Sequence, residues 1–484
     1  MIRFFSDASD QLVCSYKIKA GFPYLSELYP TFSKSILNFI SSWLFIFPSN
    51  THHMSLKRRD FLRLTAGNAA AGTVLFSGLS SFTNLPVPPK EALLGDLKPM
   101  TDDVVPISLK ERESRIEKVQ RLMVENKMEA LVLDCGTSLN YFTGIKWWPS
   151  ERTMVAVIPA RGEVKYVSPA FEAERLRQLI KIGKDVRIWE EHESPYKQIA
   201  GIFKDFGIKS GNIGMEERLR FFIFDGVRKE ATNLNYINGD LVTMPCRLIK
   251  STAEIALMQK ATDITIAAYK VGIALLHEGM SPADFSAITA DAHEKLGVSG
   301  GIGVNFGEAS AYPHGSIEPQ RLKKGDIVLM DGGCEVEGYS SDISRTIVFG
   351  AEPTKRQREI WALEKKAQAA GFAAAKIGSP CENVDYAARQ VLIDAGFGPG
   401  YKIPGLPHRT GHGIGMDGHE WGNMVKDNKL PLQPGMCFSI EPNISIYGEF
   451  GVRLEDCAYI TPEGAKWFSE PSPSIGQPIA EKKE

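Results

Sequence analysis

The chain has 484 residues, 43% of them hydrophobic and 24% charged, with a formal net charge of −2. That length holds two or three domains of ordinary globular composition, and the near-zero charge excludes a strong pull toward nucleic acid or an acidic membrane surface. The seven cysteines are scattered with no Cys-x-x-Cys pair, which excludes a thiolate zinc site and a thioredoxin-like pair; buried free thiols are expected instead.

Residues 1–53 do not read as part of a domain, and their apolar run, Ile36 to Phe47, is too short to span a bilayer. At Met54 the text changes to Ser55-Leu56-Lys57-Arg58-Arg59-Asp60-Phe61-Leu62-Arg63, followed by a glycine- and alanine-rich run to about Phe82. A basic region before a short apolar one is the form of an export signal. Arg58-Arg59 followed by Phe61-Leu62 resembles the twin-arginine signal. We therefore expect translation from Met54, a signal over 54–85 read by the twin-arginine export machinery, a periplasmic location, and a doubtful extension over 1–53. A basic-apolar helix of the mature protein is the competing reading. Residues 86–108, with Pro86, Pro88, Pro89, Pro99 and Pro106, read as a linker.

Ile116, Val119, Leu122 and Met123 fall at helical spacing between Leu109 and about Asn126. Ala130 to Leu133 reads as a buried strand. Met154–Ile158 and Val164–Val167 flank Ala160-Arg161-Gly162 as a hairpin. Helix and strand patterns alternate onward, so 109–245 reads as a mixed α/β domain. Ser251 and Glu254 then form a capping-box signature before a long apolar-periodic run to about His277. A second domain is expected over 246–470, with a polar, flexible tail over 471–484.

The chemistry concentrates in this second domain. Ile327–Met330 leads into Asp331, and the chain returns through Asp342-Ile343-Ser344-Arg345-Thr346. This predicts a hairpin that delivers Asp331 and Asp342 to one end, with Asp342, Ser344 and Thr346 on one face. His408, His412 and His419 fall within twelve residues among glycines. Phe438-Ser439-Ile440 ends in Glu441, and Arg453 and Glu455 share a face. Apolar strands that end repeatedly in a carboxylate need a reason, because a buried unpaired carboxylate is costly. Two divalent cations would balance the charges of Asp331, Asp342, Glu441 and Glu455, and one imidazole would complete the set. Such an oxygen-rich set favours Mn²⁺, with Co²⁺ or Zn²⁺ as alternatives. A lone aspartate after a strand also serves as a turn or cap, and spacing by itself leaves both readings standing.

At these residues the chain resembles a known family. Asp331, Asp342, His412, Glu441 and Glu455 are similar to the five-ligand pattern of the methionine aminopeptidase, aminopeptidase P and prolidase superfamily, peptidase family M24. The likeness lies in the Asp-to-Asp interval of eleven, the run Thr410-Gly411-His412-Gly413-Ile414-Gly415, the pair Glu441-Pro442 and the ending Arg453-Leu454-Glu455-Asp456. Asn140-Tyr141-Phe142-Thr143-Gly144 resembles the N-terminal domain of aminopeptidase P, prolidase and creatinase; methionine aminopeptidases generally lack that domain, and creatinase lacks the ligand set. The resemblance implies an α+β pita-bread catalytic domain behind a smaller α/β creatinase-type domain. It implies that Asp331 chelates one metal, Asp342 and Glu455 bridge two, and His412 and Glu441 bind the other, Glu441 also accepting a proton. It further implies His314 on the substrate side, His419 as the stabiliser of the tetrahedral intermediate, and His408 and Arg453 as substrate-contacting or proton-relaying groups. A plain ion pair is the competing role for Arg453. The expected activity is an Xaa-Pro aminopeptidase acting on peptides with proline at position two. The alternatives are an Xaa-Pro dipeptidase (prolidase) and a non-catalytic peptide binder. A homo-oligomer, dimer or tetramer, is implied, and Trp147 and Trp148 are candidates to cap a neighbouring subunit's site.

Overall fold

A computed structural model describes residues 90–480. The upstream extension, the start at Met54 and the export signal lie outside the described residues.

The first domain is built on a six-stranded sheet of β1 (Met128–Asp134), β2 (Val155–Pro159), β3 (Lys165–Pro169), β4 (Asp185–Trp189), β5 (Asn212–Met215) and β6 (Asn235–Asn238), in the order β4-β3-β2-β1-β5-β6. The hairpin read around Gly162 is present, with Val155 opposite Val167. The strand read at 130–133 is the sheet's centre, and alternation assigns its residues to two cores. Ala130 and Val132 pack with Ile199, Phe203, Ile223 and Val227 from the helices Pro195–Asp205 and Phe221–Glu230. Leu131 and Leu133 pack with Val119 and Met123 of the helix Leu109–Glu125.

That second core does not stop at the domain boundary. It continues into Leu257, Met258, Ala261 and Ile264 of the helix Thr252–Ala274, so the two domains share one apolar cluster. The helix begins at the expected capping box, with Ser251 and Glu254 satisfying each other's backbone. Glu254 accepts from Tyr339 Oη at 2.8 Å within its own domain and reaches across the joint to pair with Arg115 at 3.4 Å.

The second domain has two α+β halves. In the first, the helices Thr252–Ala274 and Pro282–Lys295 accompany a sheet of β7 (Gly300–Phe306), β8 (Ile327–Val336) and β10 (Ile343–Val348), with β9 (Tyr339–Ser340) closing on β8. In the second, the helices Lys355–Ala374 and Glu382–Asp394 accompany β11 (Gly411–Gly413), β12 (Glu420–Met424), β13 (Cys437–Ile440), β16 (Asp456–Thr461) and β17 (Gly464–Trp467), in the order β12-β11-β13-β16-β17. A ribbon of β14 (Asn443–Ile446) and β15 (Phe450–Arg453) completes it.

Some expectations change. β8 runs on through Val336, so Asp331 stands mid-strand rather than at a strand end. Gly332 and Gly333 lie within the strand at a close crossing: a Cβ on Gly333 would lie 1.9 Å from the Ser341 carbonyl oxygen, and the chain turns only at Glu337-Gly338. The long helix ends at Ala274 rather than His277. The described part of the linker packs, with a helix Lys90–Gly95 and the Met100 N–H donating to Leu296 O at 2.9 Å. Residues 471–480 also lie against the domain: Ser472 is buried, and Ile475 joins the core around Trp361. Among the described residues no helix is long and apolar enough to cross a membrane, and the six described cysteines are free.

Candidate metal centre

The two halves of the second domain are joined by their backbones where the acidic residues meet. Ser344 of β10 and Glu455 exchange both N–H···O bonds, at 3.3 and 3.2 Å, in an isolated antiparallel bridge. Around it stand Asp331 in β8 (opposite Ser344), Asp342 just before β10, His412 in the middle of β11 and Glu441 just after β13. All five residues read as ligands are thus brought to one place from five segments.

Their atoms fall into overlapping groups. Asp331, Asp342 and Glu455 can offer oxygens within 4.8 Å of one another, and so can His412, Glu441 and Glu455 with their nitrogen and oxygens. Glu455 belongs to both groups, which is the arrangement two neighbouring cations sharing a carboxylate require. His412 Nε2 lies 3.1 Å from Glu441 Oε1 and 3.8 Å from Asp342 Oδ2. Its Nδ1 sits 3.1 Å from the Gly413 carbonyl oxygen, an acceptor only. That contact holds the ring proton on Nδ1 and leaves the Nε2 lone pair for a cation.

The electrostatics of the cluster fit such cations. Burial, and then the charge of Asp331, pushes Asp342 up to about 7. Burial with Asp342, Glu441 and Asp331 nearby drives Glu455 well above the usual carboxylate range. Glu441 is the exception: burial pushes it up, but the hydrogen bond and charge of His412 hold it at about 2. Glu455 Oε1 is buried and has no hydrogen-bond partner among the described residues. An oxygen in that state is costly, and a metal ion is the partner the donor set suits. The residues present therefore fit a pair of divalent ions.

Several residues absent from the ligand pattern organise it. Ser344 Oγ lies 2.8 Å from Asp331 Oδ1 and 2.7 Å from Glu455 Oε2, and it accepts from Arg453 Nε at 2.9 Å. Arg453 Nη2 also pairs with Asp331 Oδ2 at 2.5 Å. Arg345 donates to the Glu455 carbonyl at 2.8 Å and pairs with Asp456 at 2.7 Å, both side chains fully buried. The period-two face holding Ser344 and Thr346 was the signal for part of this, since Thr346 Oγ1 donates to Arg453 O at 2.8 Å. Asp456 stood in the Arg453-Leu454-Glu455-Asp456 ending without a role, and nothing local gave one to Arg345.

The remaining histidines differ. His419 lies against His412, with ring centroids 3.9 Å apart. Arg409 Nη2 sits 3.1 Å from His419 Nδ1. A guanidinium only donates, so Nδ1 accepts and Nε2 carries the proton. Asp342, His412 and His419 could also meet at an ion, but that tautomer makes His419 a hydrogen-bond donor rather than a ligand. Burial and the charges of His412 and Arg409 lower it to about 4, so it is neutral near pH 7. His408 is lowered by burial as well, and its Nε2 has no hydrogen-bond partner among the described residues. The structure does not join His314 to the cluster. It is exposed, bordering a groove of about 370 Å³ with Ser281, Asn305 and Arg321. Only its neighbour Pro313 touches the cluster, by accepting from Arg453 Nη1 at 3.4 Å.

Comparison with known proteins agrees with this geometry. Residues 256–462 match the description "Metallopeptidase family M24" and residues 115–249 match "Creatinase/Prolidase N-terminal domain". An Xaa-Pro dipeptidase of Lactobacillus delbrueckii subsp. lactis is 32% identical over 370 residues, 74% of this chain and 98% of that protein. The crystal structure of a prolidase from Thermococcus sibiricus aligns with a TM-score of 0.69 at 27% identity, covering 74% of this chain and 97% of that one. An X-Pro aminopeptidase from Thermotoga maritima shares the fold, with a TM-score of 0.62 at 23% identity over 72% of this chain and 97% of that one. The chain belongs to metallopeptidase family M24, in the prolidase and aminopeptidase P branch, with a creatinase-type first domain and a pita-bread second domain. The family depends on a dinuclear metal centre, and the clustered side chains supply a group able to hold one.

Proposed function

We propose that the chain is an Xaa-Pro dipeptidase, a two-metal hydrolase that splits the bond between one residue and a C-terminal proline. The convergence of Asp331, Asp342, His412, Glu441 and Glu455 on two groups sharing Glu455 carries the hydrolase reading. The choice of dipeptidase over the aminopeptidase expected first is supported by the relatives: the dipeptidase is 32% identical, whereas the 23% identity of the aminopeptidase structure speaks to fold alone.

In this proposal Asp331, Asp342, His412, Glu441 and Glu455 would hold the two ions. A bound pair, with Mn²⁺ the ion the donor set favours, acidifies a shared water and polarises the carbonyl before proline. Glu441, ionised at neutral pH, is placed to take a proton and deliver it to the departing proline nitrogen. That nitrogen carries no hydrogen in the peptide, so cleavage requires one to be supplied. His419 Nε2–H is the donor for the oxygen that becomes negative in the tetrahedral state. Arg453 keeps Asp331 and Ser344 aligned, and His408 faces the substrate as a neutral imidazole. No role is assigned to His314.

The test is the full chain loaded with Mn²⁺ on Ala-Pro and Ala-Pro-Ala side by side, with Asp342→Ala as control. Metal-dependent cleavage of the dipeptide alone is expected. Cleavage of the tripeptide would make it an aminopeptidase, and cleavage of neither would reject Xaa-Pro hydrolysis. Homo-oligomer formation and twin-arginine export from Met54 belong to the same proposal. Light scattering tests the first. Intact mass of the precursor tests the second, and finding residues 1–53 would reject the start at Met54.

A further inference from the structure

The turn between β11 and β12 is held by more buried charge than a surface connection needs. The Glu420 carboxylate is only 2% exposed. Its Oε1 accepts from Arg247 Nη2 at 2.5 Å and from the backbone N–H groups of Met416 and Asp417 at 3.1 and 3.2 Å. Its Oε2 accepts from Lys250 Nζ at 2.8 Å. The carboxylate therefore sits inside the turn that it ends. Gly415 leaves room for it, since a Cβ there would lie 2.7 Å from both Glu420 Oε2 and Lys250 Cε.

Asp417 is gripped from the other side. Thr137 Oγ1 at 2.6 Å and Arg218 Nη1 at 2.8 Å donate to its Oδ1, and Arg247 Nη2 at 2.5 Å donates to Oδ2. Thr137, Arg218 and Arg247 all lie in the first domain, within residues 115–249. Among the described residues no hydrogen bond joins Glu420 or Asp417 to Asp331, Asp342, His412, Glu441 or Glu455. Holding metal therefore does not explain the network. What the turn carries is His419, the residue directly before Glu420.

We infer that Glu420 and Asp417 are positioning residues, through which the first domain holds the 415–420 turn so that His419 faces His412 and the substrate carbonyl. The inference rests on the proposed role of His419. Burying so many charges is unfavourable unless each is paired, and here the pairing fixes one backbone geometry rather than a ligand. Loosening it shifts His419, and because Glu420 stands opposite Gly413, next to His412, bound metal is measured alongside.

The experiment uses the full chain with Mn²⁺ and two perturbations: Glu420→Gln, and the double variant Thr137→Val with Arg218→Ala, which removes the two donors to Asp417 Oδ1 and leaves Arg247 on Oδ2. A full oxyanion donor is worth about 10²–10³ in kcat, so misplacing one should lower kcat on Ala-Pro by at least about 10-fold in Glu420→Gln and about 3-fold in the double variant. KM should stay within about twofold, because a group that acts on the transition state alone leaves ground-state binding unchanged. Bound Mn²⁺ per chain should match the wild type. Independently of activity, the rate at which diethyl pyrocarbonate modifies His419, itself exposed, read by peptide mass spectrometry against His192, should change in both variants as the ring leaves His412 and Arg409. Thr137→Ser with Arg218 intact keeps the donor and should behave as wild type. Unchanged His419 reactivity in both variants overturns the inference, and so does a fall in kcat without such a change. If Glu420→Gln does not fold, the surface double variant decides alone. If the wild type cleaves no Xaa-Pro peptide while both variants alter His419 reactivity, the dipeptidase reading falls and the positioning role stands.

Discussion

Replacing Asp342 with Asn should stabilise the metal-free protein and destabilise the metal-loaded one. Without cations, burial and the charge of Asp331 move Asp342 from 3.8 to about 7. A carboxyl raised in this way supports the fold through its proton. That support is complete below its unfolded value near 3.8 and is lost as pH rises through about 7. A shift of about three units corresponds to about 4 kcal/mol of unfavourable ionisation at pH 8. Asp331 and Glu455 compete for the same protons, so roughly half of it, about 2 kcal/mol, should be recovered by a neutral isostere. At roughly 2 °C per kcal/mol, that is a rise of about 4 °C in Tm in EDTA at pH 8. The gain should vanish toward pH 4, where both side chains are uncharged. With Mn²⁺ at 100 times its Kd, each wild-type site gains about 2.7 kcal/mol, and Asn cannot supply the second oxygen a shared ligand needs. The order of melting then inverts. Thermal unfolding of both proteins in EDTA and in Mn²⁺ at pH 5 and pH 8 reads all four corners. An Asn variant that melts below wild type in EDTA at pH 8 would refute the reasoning, because Asp342 would then be a structural hydrogen-bonding residue rather than a charge awaiting a cation.

Glu441→Gln should lower kcat on Ala-Pro by about 10²–10⁴, since an amide cannot carry the proton; steady-state rates check it. Arg345→Met should cost about 3–5 kcal/mol in urea unfolding, because Asp456 is left buried without its 2.7 Å partner. The pair Arg345→Met with Asp456→Leu should recover most of that loss. Ser251→Ala removes the cap of the helix Thr252–Ala274 and should cost about 1 kcal/mol in the same assay, with no change in KM.

Features written in consecutive residues were legible in the sequence. The capping box at Ser251, the hairpin around Gly162 and the parity that puts Ser344 beside the acids all follow from local spacing. The convergence of the five residues read as ligands was legible because each stands beside distinctive neighbours. Asp331 was misplaced within its strand because the apolar run Ile327–Met330 stops before it, whereas the strand continues through Gly332 and Gly333, where a Cβ on Gly333 would lie 1.9 Å from Ser341 O. The network around Glu420 was not legible, because its partners are far away in sequence: 173 residues to Arg247, 170 to Lys250, and 280 from Thr137 to Asp417. The text from Pro471 reads as a tail because proline and serine dominate it, yet Ile475 fills a core position that no periodicity announces.

The acids of the centre are not drawn together by attraction to one another. Asp342 and Glu455 are both pushed toward their protonated forms by where they stand, so something else holds them there. The backbone bridge between Ser344 and Glu455 joins the halves, and the buried Arg345–Asp456 pair fixes the segment that bears Glu455. Apolar cores also cross the seam: the one around Ile264 and Met330 takes in Cys437 and Cys457 of the second half, and the one around Trp361 and Val452 takes in Ile327 of the first. Ser344 cannot satisfy both carboxylates, because it has one proton for Asp331 and Glu455 while Arg453 occupies a lone pair. An unmet demand for positive charge is thus built into the seam before any ion arrives. A cation entering such a site displaces protons instead of reorganising strands, so its uptake should strengthen with rising pH over the range in which Asp342 titrates.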